Sequence, residues 1–132
     1  MSGELKILTE ALGKTITMDE LYPDGFERGE ILNDFVTPSE MSIELPIKTM
    51  TAKEASKLEA PFSSENILDV YNDHATSSQK KLVKDKMKKF DKNRIVVIEN
   101  KTVLDGNHHV IAAILSNNSI KYVDLMDTVE KE

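Results

Sequence analysis

Residues 102–115 read "TVLDGNHHVIAAIL". A short apolar run with strand character stops at Asp105-Gly106, two adjacent histidines follow, and apolar residues return at helical spacing. The reading is strand, tight turn, helix. Such a turn is a ready site for an anion. The first amides of a helix have no internal partner, the helix dipole points its positive end at the loop, and glycine lets a ligand approach the backbone. Only three histidines occur in the chain, and two of them, His108 and His109, stand here. They are candidates to bind phosphate oxygens or to move a proton. Asp105 could orient a histidine, hold a divalent metal or receive a proton. Gly106, Asn107, His108 and His109 would touch the ligand. The plainer alternative is that Asp105 or Asn107 caps the helix and the histidines fill space between surface and core.

Outward from the turn, "RIVVIENKTVLD" predicts two short strands joined at Glu99-Asn100-Lys101, with Asn100 tolerating the left-handed region. The helix is expected from His108 to about Leu115, with Ile111, Ala112, Ile114 and Leu115 on its buried side. It should end at "SNN", where Asn117 or Asn118 supplies a left-handed cap. "SIKYVDL" is the closing strand, and "MDTVEKE" a polar tail.

Further upstream, "SIELPIK" alternates Ile43, Leu45 and Ile47 with polar positions, and Pro46 predicts an edge strand. Thr51 with Glu54, and Thr76 with Gln79, carry the capping-box spacing for two helices. "SSENILDVYN" offers Ser63 or Ser64 as the cap of another. In the helix after Thr76, the spacing predicts Val83, Met87 and Phe90 as a buried stripe and Lys80, Lys84 and Lys88 as an exposed one. The fold class expected is α/β, more specifically α+β: a small mixed sheet with packed helices.

At 132 residues, with 39% apolar and 30% charged residues, the chain is expected to bury one real core. It has no cysteine, which excludes disulfides, thiolate catalysis and thiolate zinc sites. Its apolar runs fall well short of the ~20 residues that span a bilayer. "MSGELKILTEALGK" lacks the basic start and apolar centre of a signal peptide, so a cytoplasmic location and no membrane partner are expected. "ELKILTEAL" could form a short helix.

Net charge is −6, unevenly spread. Residues Lys80 to Arg94 hold eight basic residues against two acidic ones, a local +6, so the remainder carries −12. That ridge could face nucleic acid, although a solvated helix face is the ordinary explanation. Residues 1–40 are expected to be an acidic N-terminal extension, a possible arm for a protein partner, and residues 41–132 the domain proper.

"IVVIENKTVLDGNHHVIAAILSNNSIKYVDL" resembles the ParB/sulfiredoxin superfamily. The usual pattern there is a strand pair ending in Asp-Gly-His-His-Arg or a variant, then an Ala-Ala-containing helix and a short strand. Asp105, Gly106, His108, Ala112 and Ala113 stand in matching positions, and the resemblance covers roughly residues 42–126. It implies a small α/β domain holding a nucleotide, ATP or CTP with Mg2+, or another phosphorylated small molecule, on the turn. One reading of such a domain is an enzyme of phosphoryl transfer or phosphate hydrolysis, with Asp105, His108 and His109 as catalytic groups; a second acidic residue would be needed, and "DVYNDHA" offers Asp69 and Asp73 beside His74. Sulfiredoxin chemistry needs a cysteine and is excluded. A partition protein carries a helix-turn-helix after this domain, and none is expected in a sequence that runs to Glu132. The family's phosphate-gripping arginine is His109 here, and an imidazole offers less than a guanidinium fork. Two other readings follow: a non-catalytic accessory module, such as a phage encodes, that kept the fold, and a nuclease using the Lys80–Arg94 ridge.

Overall fold

The computed structural model describes residues 14–26, 31–61 and 63–127. In chain order the elements are β1 (Thr15–Ile16), α1 (Met18–Leu21), 3-10 turns at Ile31–Asp34 and Pro38–Glu40, β2 (Leu45–Pro46), β3 (Lys48–Met50) and α2 (Ala52–Ala55). They continue with α3 (Ile67–His74), α4 (Ser77–Lys88), β4 (Ile95–Glu99), β5 (Thr102–Asp105), α5 (Asn107–Ser116) and β6 (Ile120–Asp124). The class is α+β. No helix among the described residues is long and apolar enough to cross a membrane.

The hairpin of β4 and β5 turns at Asn100, whose φ of 59° is the left-handed value that asparagine tolerates best after glycine. Helix α5 then crosses back, and β6 pairs parallel to β4. β3 adds antiparallel to β6, giving a mixed sheet in the order β3-β6-β4-β5. The edge position expected for "SIELPIK" holds, but the segment divides. Leu45–Pro46 pairs with β1 in a separate two-stranded sheet, and the four-stranded sheet takes Lys48–Met50.

Both faces of the larger sheet are covered. Val96, Ile98, Val103 and Ile120 pack with Val110, Ile111, Ala112 and Ala113 of α5 and with Ala55, Ile67 and Val83 from the other helices. On the opposite face, Val97, Leu104, Val123 and Leu125 pack with Met18, Leu32, Val36 and Leu45. The acidic segment before residue 41 is thus no free extension in its described part. Met18 and Leu32 are 1% and 0% exposed, and such side chains each stabilise by about 1.5–3 kcal/mol when fully buried. Among its described residues Asp19, Glu20, Asp24 and Asp34 are exposed, while Met18, Leu32 and Val36 form the third layer. The possible helix at "ELKILTEAL" lies outside the described residues, as does the tail from Thr128.

Local chemistry sets the helix starts. Glu54 and Gln79 reach back to the amides of Thr51 and Thr76 at 2.9 and 2.8 Å, completing both expected capping boxes. Thr17 with Glu20 and Thr37 with Glu40 repeat the device at 3.0 and 2.8 Å in the N-terminal layer. α3 is capped by Asn66, whose Oδ1 accepts from Leu68 and Asp69, and not by Ser63 or Ser64. In α4, Val83 is buried, Met87 packs partly against the core as does Phe90 just beyond the helix end, and Lys80, Lys84 and Lys88 are exposed. In α5 the buried side is His109 to Ala113. Leu115, expected inside, is 47% exposed because the helix is embedded through its first two turns and emerges at its end.

Candidate functional site

Strand β5 delivers Asp105 to the sheet end, and Gly106 makes the turn with φ of +100°. A Cβ there would lie 3.1 Å from Val96 Cγ2 and 3.6 Å from the Arg94 guanidinium, so close packing as well as conformation requires glycine. The amide of Val110 closes the first helical bond on the Gly106 carbonyl at 2.9 Å. No side chain caps the helix: neither Asp105 nor Asn107 does so, against the plainer expectation. The start of α5 therefore opens, with its positive dipole end, into a cleft of about 610 Å³.

Asp105, Gly106, Asn107, His108 and His109 all line that cleft, together with Lys86 from α4 and Arg94 from the approach to β4. Arg94 Nη2 lies 3.5 Å from Asp105 Oδ1. Asp105 Oδ2 accepts a hydrogen bond from the Tyr22 hydroxyl. Three buried polar atoms around the turn, Arg94 Nε, Asn107 Oδ1 and His109 Nε2, have no hydrogen-bond partner among the described residues. Unpaired buried polar atoms are few in native proteins, and a cluster of them calls for a ligand, water or ion to satisfy it.

The two histidines differ. His109 is 2% exposed and stacks on Phe90, ring centroids 4.5 Å apart at 18°. Burial, then the nearby charges of Arg94 and Lys86, push its pKa down to about 4, with Asp91 acting weakly the other way. At neutral pH it is an uncharged wall of the cleft. His108 is half-buried, and burial followed by Lys86 lowers its pKa too. Positive charge in the cleft thus comes from Arg94 and Lys86, not from the histidines. The sequence reading had placed both cations in the basic ridge. They lie within it in sequence, but Lys80, Lys84 and Lys88 face solvent while Lys86 and Arg94 turn into the cleft.

The second acidic group does not arrive. Asp69 and Asp73 are exposed on α3 and do not line the cleft. His74 lines a neighbouring cleft of about 310 Å³ with Tyr71 and Gln79, which shares Pro61, Asn107 and His108 with the first. Among the described residues no three histidine, aspartate or glutamate side chains group to hold a metal ion. Among the described residues Asp105 is the one carboxylate on the cleft wall, and both its oxygens are engaged. A resident metal does not fit that arrangement. Magnesium, which binds through few protein ligands, would come coordinated to a nucleotide's own phosphates.

Compared with known proteins, the chain matches no family model, no curated protein and no solved structure.

Proposed function

We propose that the turn from Asp105 to His109 binds the phosphate group of a nucleotide or another phosphorylated small molecule. One observation carries this reading: three residues with an unpaired buried polar atom, Arg94, Asn107 and His109, line the cleft into which an uncapped helix N-terminus opens. Phosphate oxygens would accept from the first amides of α5, from Arg94 as a planar fork and from Lys86 as a point charge. Neutral His109 would donate through Nε2, and a half-turn of the Asn107 carboxamide would present its nitrogen. The resemblance of residues 42–126 to the ParB/sulfiredoxin superfamily supports the same turn. There the family's arginine follows the histidines. Here Arg94, adjacent in space, takes that charge over.

A second reading is phosphoryl transfer or phosphate hydrolysis with Asp105 as the acid–base carboxylate, favoured by its place on the wall of the same cleft. Against it, the engagement of both Asp105 oxygens favours the non-catalytic accessory module. A nuclease stands behind both, since the exposed lysines of α4 belong to a chain whose remainder carries −12.

The test is thermal denaturation with ATP, ADP, CTP, GTP and pyrophosphate, each with and without magnesium. A ligand at a hundredfold its Kd should stabilise the fold by about 2.7 kcal/mol, and Arg94→Met should remove most of the effect. No stabilisation by any of these anions would overturn the reading. Product formation from the bound nucleotide would decide for the enzyme.

A further inference from the structure

The N-terminal layer reaches the candidate site at Asp105, where Tyr22 makes a side-chain hydrogen bond. Helix α1 is fixed by its capping box and by buried Met18, and its axis is tied to the following loop by the Asp19 amide on the Met41 carbonyl at 2.9 Å. Tyr22 closes the helix, its amide on the Met18 carbonyl at 2.8 Å, and Gly25 turns the chain back onto the Tyr22 carbonyl at 2.9 Å. The Tyr22 ring packs edge-on against Phe26 with centroids 5.0 Å apart. Ring and backbone are thus both held before the hydroxyl meets Asp105, 83 positions further along the chain.

We propose that Tyr22 is a positioning residue for Asp105: it holds Oδ2, leaves only Oδ1 to Arg94, and so keeps the guanidinium available to an anion. The physical argument is competition. A free carboxylate beside an arginine prefers the two-bond fork geometry, which would take up the guanidinium edge that a phosphate needs. By holding Oδ2 against its own hydroxyl, Tyr22 fixes the carboxylate in an orientation that presents Oδ1 to the guanidinium, and it withdraws part of the carboxylate's charge from the cleft. The layer built from residues 14–45 is then a working wall of the site. That consequence for the anion rests on the phosphate-binding reading above. The positioning itself does not.

Tyr22→Phe tests this, because it keeps the ring and its packing on Phe26 and removes only the hydroxyl. Two measurements decide. In the ligand-free protein, the Asp105 Hβ scalar couplings should report a single χ1 rotamer for the parent and averaging over rotamers for Y22F. In calorimetric titrations with pyrophosphate, Y22F should bind on the order of tenfold more weakly, as the loss of a hydrogen bond to a charged group implies. The same change made on Asp105→Ala should have no effect on pyrophosphate affinity, because the competitor is gone. A single rotamer persisting in Y22F overturns the proposal, and so does an affinity loss that survives in the D105A background. If the parent binds no pyrophosphate, the phosphate reading falls, and the couplings alone decide whether Tyr22 positions Asp105.

Discussion

Acidification from about pH 7 to about pH 5 protonates an imidazole in the unfolded chain, while His109 in the folded protein, with its pKa near 4, stays neutral. The unfolded state then binds the extra proton. Stability contributed by this group is complete above the ordinary value of 6.5 and is lost as pH falls from there towards 4. A depression from 6.5 to about 4 amounts to on the order of 3 kcal/mol once the whole window is crossed, of which about 1.8 kcal/mol falls between pH 7 and pH 5. The ring is 2% exposed and so gains little screening from water. Urea denaturation followed by circular dichroism suits a chain without tryptophan. His109→Leu supplies the control: it fills similar space against Phe90 and cannot titrate, while carboxylate contributions to the pH profile are common to both proteins and cancel. The parent should lose about 1.8 kcal/mol more than the variant between the two pH values, roughly 1 M in urea midpoint. Saturating phosphate should shrink that difference, since a bound anion favours the charged ring. Equal losses in parent and variant would refute the assignment of His109 as a buried neutral group.

Gly106→Ala should destabilise by about 1–3 kcal/mol and weaken anion binding together, because alanine is strained at φ of +100° and its Cβ would press on Val96. A fully stable variant by the same urea assay would mean that the turn relaxes freely. Leu32→Ala should cost about 2–5 kcal/mol, as truncation of a fully buried leucine does, whereas Leu115→Ala should stay within about 0.5 kcal/mol. Similar effects of the two would contradict the third layer.

What was readable in the sequence was local. The strand–turn–helix of residues 95–116, the left-handed Asn100 and Asn117 and two capping boxes each depend on a few consecutive residues, and each stands where the spacing put it. Two more signals were present and unused. Threonine followed three places on by glutamate also occurs at 17–20 and 37–40, inside the segment expected as an arm; the first forms the reciprocal pair, and at the second the Glu40 carboxylate accepts from the Thr37 amide. The run "IVVI" at 95–98 does not alternate. A strand with one wet face alternates, while one buried on both faces reads as continuous apolar sequence, so that run already required a second covering layer, which Met18, Leu32, Val36 and Leu45 provide. The charges of the site were harder. Backbone amides and the glycine turn belong to consecutive residues, but Lys86, Arg94 and Tyr22 reach Asp105 and His109 only once the sheet and α4 have been packed. Periodicity could assign Lys80, Lys84 and Lys88 to the wet face of α4. It could not place the side chain of Arg94, which follows the helix and precedes the strand, because its guanidinium lies beside Gly106, a neighbour only in the folded chain. The same packing that leaves no room for a Cβ at residue 106 places a guanidinium beside the helix N-terminus, and a backbone turn thereby becomes a charged site.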